Sequence, residues 1–237
     1  DPCLGGYPWL ESDTQPAGTI AVYPKDIGYI EHIDIGKLAS AISDSPVHVY
    51  LVGQLGSFVH PSHPVMYVTN NANSKLIPDV LSTLSISDVR SFNQDPRFCL
   101  CVLAEIACRA LSPAVNDPGT AIDVIGRGVR VLSEYGRHID QKNTVRYPAI
   151  HISPLSTFNL LDDFFSPIAR DGAAMREVQL RLLKGMAMLS QAWPDLYASA
   201  AGVHAREVLQ YIEKASYISS DKARIMETYQ KLFNSMG

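Results

Sequence analysis

The sequence has few cysteines, no long apolar run and no cluster of basic residues, and each of these absences excludes a class of protein. Four cysteines in 237 residues are too few for a disulfide scaffold of this length, so small buried thiols are the simplest interpretation. No stretch of eighteen apolar residues occurs, so no membrane-spanning helix is predicted within the chain. The chain begins without a Met or a signal-peptide pattern, and we interpret it as a fragment of a longer protein.

The acidic and basic residues are unevenly distributed. Residues 1–95 carry four Lys/Arg and ten Asp/Glu, a net charge of −6, whereas residues 96–237 carry sixteen and fourteen, a net charge of +2. Neither part has a basic face interleaved with aromatic residues. Because phosphate neutralisation supplies most of the affinity for nucleic acids, we expect no nucleic-acid partner.

The first third of the chain has strand-like patterns. Short β-branched or alternating runs, separated by turn residues, predict strands at 19–23, 28–33, 47–52 and 65–68. Asp34 is predicted to cap a short helix after the second of these strands. The prediction is a small β module over residues 18–75, preceded at 1–17 by a linker or by residues foreign to the natural protein.

From residue 77 onward the apolar residues recur with a period of about 3.6, which predicts a series of amphipathic helices. An extended piece at 144–150 interrupts them. Residues 76–237 are therefore predicted to form a mainly α-helical domain. The predicted fold class is α+β, with the small N-terminal β module packed on a mostly helical C-terminal region.

The most informative stretch is residues 109–121, which we call the elbow. Pro113 disfavours helical geometry at Ser112, so one helix is predicted to end there. Asp117 followed by Pro118 is a typical helix start, with an N-cap carboxylate and proline at the first helical position. The sequence therefore predicts two helices joined by a tight, polar connection.

A binding role for the elbow is an alternative to this structural one. The N-terminus of the second helix and the Arg109 side chain together offer an anion site. Further polar residues lie just upstream, before the first helix. The candidate ligand-binding residues are Arg90, Asp95, Arg109, Ser112, Asn116, Asp117 and Thr120. No catalytic residue, metal ligand or cofactor is predicted.

Several stretches of the chain resemble one family. The elbow, the preceding segments 94–98 and 104–107, and the β-module segments 28–34 and 56–59 are similar to those of the domain of unknown function 2254 family of predicted bacterial membrane proteins. The resemblance implies several N-terminal transmembrane helices, absent from this chain, followed by a soluble region. It therefore implies a bacterial inner-membrane location, with the protein's own transmembrane region as a partner. The small number of cysteines favours the cytoplasmic side for this domain.

Two functions are compatible with these observations. The favoured one is a non-catalytic soluble domain that serves sensing or assembly, and the abundance of apolar helical faces predicts a homo-oligomer. The alternative is an enzyme, such as a hydrolase of an anionic substrate, acting at the Arg109–Asp117 elbow. An enzyme should place a base within hydrogen-bond reach of a nucleophile or a metal. If Asp117 instead bonds only groups of its own helix, the enzyme hypothesis loses its best residue.

Overall fold

The computed structural model describes residues 3–9, 15–69, 75–139 and 144–233. The α+β class is confirmed, because N-terminal sheets precede a helical C-terminal region. In the described residues the elements run in the order β1 (Gly6–Pro8), β2 (Thr19–Val22), β3 (Gly28–Ile33), α1 (Ile35–Ile42), β4 (Val49–Leu51), β5 (Phe58–Val59), β6 (Met66–Thr69), α2 (Leu76–Leu81), β7 (Leu84–Ser87), α3 (Pro96–Leu111), α4 (Pro118–Ile139), β8 (Tyr147–Ile152), α5 (Thr157–Asp171), α6 (Arg176–Ala192), α7 (Pro194–Lys214) and α8 (Ser219–Phe233).

The chain forms two compact units. The first, which we call the sheet unit, comprises residues 1–98 and 141–155, and the second, the helical unit, comprises residues 99–140 and 156–237. These boundaries differ from the predicted ones at 18–75 and 76–237. The difference arises because β8 pairs with strands from the N-terminal part of the chain, so residues 141–155 return to the sheet unit.

The described residues of the sheet unit form two sheets. Five strands pair in the order β1-β8-β4-β6-β2, and three pair in the order β5-β3-β7. The β8 strand is parallel to both of its neighbours, β1 and β4. All pairs in the smaller sheet are antiparallel. Of the predicted linker 1–17, residues 6–8 form β1, and residues 1–2 and 10–14 lie outside the described residues.

Alternating residues of these strands point into one apolar core. Val49 and Leu51 of β4 are buried, together with Met66 and Val68 of the paired strand β6. The helix α1 adds its apolar face to the same core and begins at Asp34, whose carboxylate accepts a hydrogen bond from the Lys37 amide at 2.8 Å. The predicted cap at Asp34 is therefore confirmed.

The helical unit buries the apolar stripes of its helices against one another. The most extensive contacts run between α6 and α7 and between α5 and α7. At the end of α5, the buried Gln179 amide donates to the Ala169 and Gly172 carbonyls, at 3.0 and 2.8 Å. These bonds satisfy carbonyls that lack partners at a helix C-terminus. Within the described ranges, no helix combines the length and the apolar character needed to cross a bilayer.

Candidate functional site

The seven candidate residues fall into two groups, one in each compact unit. Arg90 and Asp95 belong to the sheet unit, and the other five candidates belong to the helical unit. Each group is therefore considered by itself. Whether either group binds a ligand stays a prediction.

In the sheet unit, Arg90 and Asp95 form a partly buried ion pair. The Arg90 Nε and Nη2 atoms both lie 2.7 Å from Asp95 Oδ2. The Asp95 side chain is only 4% exposed and that of Arg90 21%. The other carboxylate oxygen of Asp95 accepts from the Phe98 amide at 3.0 Å, so this residue is also the N-cap of α3. The carboxylate is thus occupied by three structural contacts.

The backbone at Gly56 approaches this ion pair closely. Gly56 has φ +79°, and a Cβ atom there would lie 2.1 Å from Asp95 Oδ2 and 2.7 Å from Arg90 Nη2. The Arg90 guanidinium also lies 5.1 Å from the Phe98 ring centroid, within the range of a cation–π contact. A glycine at position 56 therefore meets two requirements: the left-handed backbone conformation and room for the ion pair.

In the helical unit, the elbow is held by short-range backbone bonds. The Ser112 hydroxyl donates to the Arg109 carbonyl at 2.7 Å, which ends α3. The amides of Val115 and Asn116 both donate to the Ser112 carbonyl, and the Asp117 amide donates to the Ala110 carbonyl. Asn116 adopts φ +50°, a conformation that asparagine tolerates better than most residues. The predicted tight connection between two helices is confirmed.

Asp117 caps α4. Its carboxylate accepts from the Thr120 amide at 3.0 Å and from the Thr120 hydroxyl at 2.6 Å. These bonds, the hydroxyl bond first, hold the pKa of Asp117 below its usual range because they stabilise the charged form. The capping interpretation of Asp117 is confirmed. The exposed Arg109 side chain lies in the last turn of α3.

A cleft of about 490 Å³ opens between α3, α5 and α7 of the helical unit. Sequence analysis did not predict it, because its residues lie on three helices that are distant along the chain. Its ionisable groups are three carboxylic acids, one guanidinium, two thiols and one phenol. They belong to Glu105, Asp162, Asp163, Arg170, Cys101, Cys108 and Tyr211.

Two side chains of the cleft, Cys108 and Tyr211, have raised pKa values. Burial, then the hydrogen bond with Asp171, raise the pKa of Cys108 to about 12. Burial and the neighbouring Glu207 carboxylate raise the pKa of Tyr211. Arg170 forms an ion pair with Asp171 at 2.9 Å. The cleft therefore combines three acidic side chains with OH and SH groups, an arrangement suited to a positively charged ligand.

A cluster of four polar side chains adjoins this cleft. Asp162 and Ser166 of α5 line the cleft, and His204 and Glu207 of α7 lie against them. The Ser166 hydroxyl is 2.8 Å from Asp162 Oδ1, 3.1 Å from Glu207 Oε2 and 3.3 Å from His204 Nδ1. The His204 side chain is 2% exposed. We call these residues the Asp162–His204 cluster.

Sequence analysis missed the Asp162–His204 cluster because its members lie on two amphipathic helices whose contact the sequence does not predict. A signal was present in the spacing: Asp162 and Ser166 are four residues apart, and His204 and Glu207 three. Such pairs share one face of a helix. The chemistry of these side chains, two carboxylates and an imidazole, is that of common metal ligands, and their ligand atoms lie within 4.8 Å of one another.

Comparison with known proteins identifies the family. A family model described as "Predicted membrane protein (DUF2254)" matches residues 8–188. This chain belongs to the DUF2254 family. The match spans the elbow as well as most of the sheet unit, and it also covers Asp162 and Ser166 of the Asp162–His204 cluster.

The curated relatives of this DUF2254 chain are mycobacterial proteins. An uncharacterized protein of Mycobacterium bovis and one of Mycobacterium tuberculosis are each 30% identical to it over 116 residues. The aligned segment makes up 46% of this chain and 22% of each relative, so the chain spans about a fifth of the relatives' length. No solved structure matches the chain significantly.

Proposed function

We propose that this chain is a non-catalytic sensing module of a bacterial inner-membrane protein, with the cleft between α3, α5 and α7 as its ligand site. The observation that carries the proposal is the cleft itself, which brings Glu105, Asp162 and Asp163 together beside one ion-paired guanidinium. A concave site with a few convergent polar groups is the usual form of a small-ligand site. Its surplus of carboxylates favours a positively charged ligand.

The hydrogen bonds at the elbow favour this function over an enzyme acting there. Asp117 bonds to the amide and hydroxyl of Thr120, both in its own helix. A carboxylate used in this way is poorly placed to act as a base on a substrate. The same holds for Asp95, whose two oxygens are bonded to Arg90 and to the Phe98 amide.

The family description supports a membrane location for the full-length protein, and we propose that this chain lies outside the bilayer on the cytoplasmic side. Exposed charged pairs, such as Asp123–Arg127 and Arg224–Glu227, lie on helices whose other faces are buried, which is typical of helices in water. Within the described residues no disulfide joins the cysteines, as expected in a reducing compartment. Expressed alone, the chain should remain in the supernatant without detergent, whereas the full-length protein should sediment with membranes. Full-length protein in the supernatant would contradict this location.

Assembly is the second part of the proposed role. The proposed partners are the protein's own transmembrane region and further copies of the chain. Large apolar side chains such as Val115, Met188 and Ile218 are more than half exposed and are available for contacts between copies. Light scattering of the chain at high concentration should give a mass above that of a monomer, and a monomer at every concentration would contradict self-association.

Thermal unfolding in the presence of cationic ligands tests the sensing role. Spermidine and divalent metal ions serve as probes, and the ligand site predicts that at least one of them raises Tm. Asp162→Asn should reduce this rise, whereas Asp123→Asn, an exposed acidic residue on α4, should leave it unchanged. Mass spectrometry of the recovered organic probe should show no chemical conversion. The absence of any Tm rise would overturn the ligand site, and conversion of the probe would overturn the non-catalytic role.

A further inference from the structure

We propose that Asp162, His204 and Glu207 bind a single divalent transition-metal ion of the zinc type. This inference deepens the proposed function, on which it rests, by naming a class of ligand for the sensing site. His204 Nδ1 and Glu207 Oε2 lie 3.3 Å apart. Two tetrahedral ligands about 2.1 Å from one ion are separated by roughly 3.4 Å. Asp162 provides the third ligand atom, and all three atoms lie within 4.8 Å of one another.

The orientation of the His204 ring is fixed by a contact outside the cluster. His204 Nε2 lies 3.3 Å from the Phe158 carbonyl oxygen. A carbonyl oxygen only accepts, so Nε2 carries a hydrogen and, in neutral imidazole, Nδ1 presents a lone pair to the two carboxylates. A metal-binding histidine almost always donates its second ring N–H to a carbonyl or carboxylate in this way.

The cluster has more acceptors than hydrogens. Ser166 contributes one hydroxyl hydrogen, yet its oxygen is within hydrogen-bond distance of Asp162 Oδ1, Glu207 Oε2 and His204 Nδ1. Tyr211 supplies one more hydrogen to Glu207. Two carboxylates and an imidazole lone pair therefore surround the Ser166 oxygen, and only two hydroxyl hydrogens are available to them. A bound cation resolves this excess of acceptors.

The three ligand residues lie on packed helices, and an ion can reach the site from the cleft. Asp162 is on α5 and His204 and Glu207 are on α7, two helices packed directly against each other. Sites built on helices hold their geometry better than sites on loops. Asp162 is exposed and lines the cleft, so an ion can enter there, and a water molecule can complete the coordination.

The donor set favours zinc-type ions over magnesium. One imidazole nitrogen with two carboxylate oxygens suits first-row transition metals, whereas Mg²⁺ prefers oxygen ligands alone and retains several waters. Affinity should rise from Mn²⁺ to Zn²⁺, following the general order for divalent ions. Sequence analysis predicted no metal site, because no histidine lies near the cysteines and none of the ligands are close along the chain except His204 and Glu207.

Isothermal titration calorimetry of the purified, metal-stripped chain with Zn²⁺, Mn²⁺ and Mg²⁺ tests the inference. We expect one Zn²⁺ per chain, weaker Mn²⁺ binding and no measurable Mg²⁺ binding. The double variant Asp162→Asn/Glu207→Gln should lower the Zn²⁺ affinity at least about 100-fold, because even outer contacts of a metal site contribute about 10- to 100-fold. These two residues are partly exposed, so the variant should fold, which circular dichroism checks, whereas truncation of the buried His204 risks the fold.

A matched control separates this site from adventitious binding. His60 and His63 are exposed on one loop and both contact Ser62, so His60→Ala/His63→Ala removes an alternative pair of zinc ligands. This control should leave the one-to-one Zn²⁺ affinity unchanged. Loss of binding in the control but not in the Asp162/Glu207 variant would overturn the inference. The absence of any Zn²⁺ binding would overturn it too, but if spermidine still raises Tm through Asp162, the proposed sensing function stands.

Discussion

The same dipeptide begins two helices of this protein in two different environments. Asp95–Pro96 begins α3 and Asp117–Pro118 begins α4, and in both cases the carboxylate accepts from the amide three residues ahead. The first carboxylate is buried and also bonded to a guanidinium. The second is exposed, and its further bond is to a threonine hydroxyl of its own helix. The local signal is identical, but the energetic consequence of losing the carboxylate differs.

The comparison shows what a helix-start signal can and cannot predict. An N-cap satisfies one amide wherever it lies, so the local geometry follows from the dipeptide. The second partner of the carboxylate depends on residues brought together by the fold. For Asp95 that partner is a cation with little exposure to water, and removal of one member of such a pair leaves the other charge uncompensated.

The largest effect is expected for Asp95→Ala. The substitution removes the cap of α3 and leaves the Arg90 guanidinium without its carboxylate, which should lower the free energy of unfolding by about 3–5 kcal/mol. Urea titration followed by circular dichroism measures the loss. Asp123→Ala, which breaks an exposed pair on α4, is the matched control and should cost less than about 1 kcal/mol. Similar losses in the two variants would show that the burial of the Asp95 pair is unimportant.

Gly56→Ala should have the next largest effect. The new Cβ would lie 2.1 Å from Asp95 Oδ2, so the ion pair must move, in addition to the cost of a left-handed alanine. Gly18→Ala is the control, because Gly18 has φ +71° but nothing within 4 Å of its Cβ position. The control should lower the free energy of unfolding by about 1–2 kcal/mol. Gly56→Ala should lower it by at least about 1 kcal/mol more. Equal decreases in the free energy of unfolding would show that the ion pair moves away from the new Cβ atom at no energetic cost.

Asp117→Ala should have a smaller effect, a decrease in Tm of about 2–4 °C. Asp117→Asn should lower Tm less, because asparagine caps nearly as well and loses only the favourable charge at the helix N-terminus. Differential scanning calorimetry of both variants makes the comparison. Equal and negligible decreases would remove the capping account and strengthen a binding role for the elbow.

The smallest effect is expected for Thr120→Val, which should change how Tm falls as the pH is lowered. The pKa of Asp117 lies below its ordinary value of 3.8, chiefly because of the Thr120 hydroxyl bond. The folded state therefore binds a proton less readily than the unfolded state, and Asp117 contributes stability that is present above the ordinary pKa and lost as pH falls through the lowered one. Thr120→Val removes the hydroxyl donor, so the fall of Tm between about pH 5 and pH 3 should become shallower. An unchanged pH profile would contradict this role of the hydroxyl.

Elements with a strong local signal could be predicted from the sequence. The long helices α4 to α8 follow from apolar residues at helical spacing, and β3 from its alternating residues. The polar start of α1 follows from Asp34. In each case residues within one or two turns decide the structure, so no knowledge of distant partners is needed.

The remaining features depend on contacts between distant residues. β1 lies in the predicted linker, and its three residues gain a strand partner only in β8. β5 lies between the strands predicted at 47–52 and 65–68, where no strand is predicted, and Phe58 and Val59 form a strand only by pairing with β3. The Asp162–His204 cluster likewise joins residues about forty positions apart, and periodicity within each helix does not predict that they meet.

For the candidate site, the role of a single residue could be predicted from the sequence more easily than which residues lie together. Asp117 caps its helix as expected. Asp95, predicted as a candidate ligand-binding residue, is a buried cap of α3 bonded to the Arg90 side chain, and its role in ligand binding stays a prediction. No short-range pattern distinguishes a carboxylate that meets a guanidinium from one that meets water.

The position of β8 has a consequence for synthesis on the ribosome. β4 can pair with β6 as soon as Thr69 has emerged, but its other edge waits for β8, which ends at Ile152. The intervening residues, roughly 80, take about 4–16 s to translate at 5–20 residues per second. During that interval the nascent chain carries an open strand edge, which can pair wrongly with other chains. The ribosome must translate all of α3 and α4 before β8 can pair with β4 and complete the sheet.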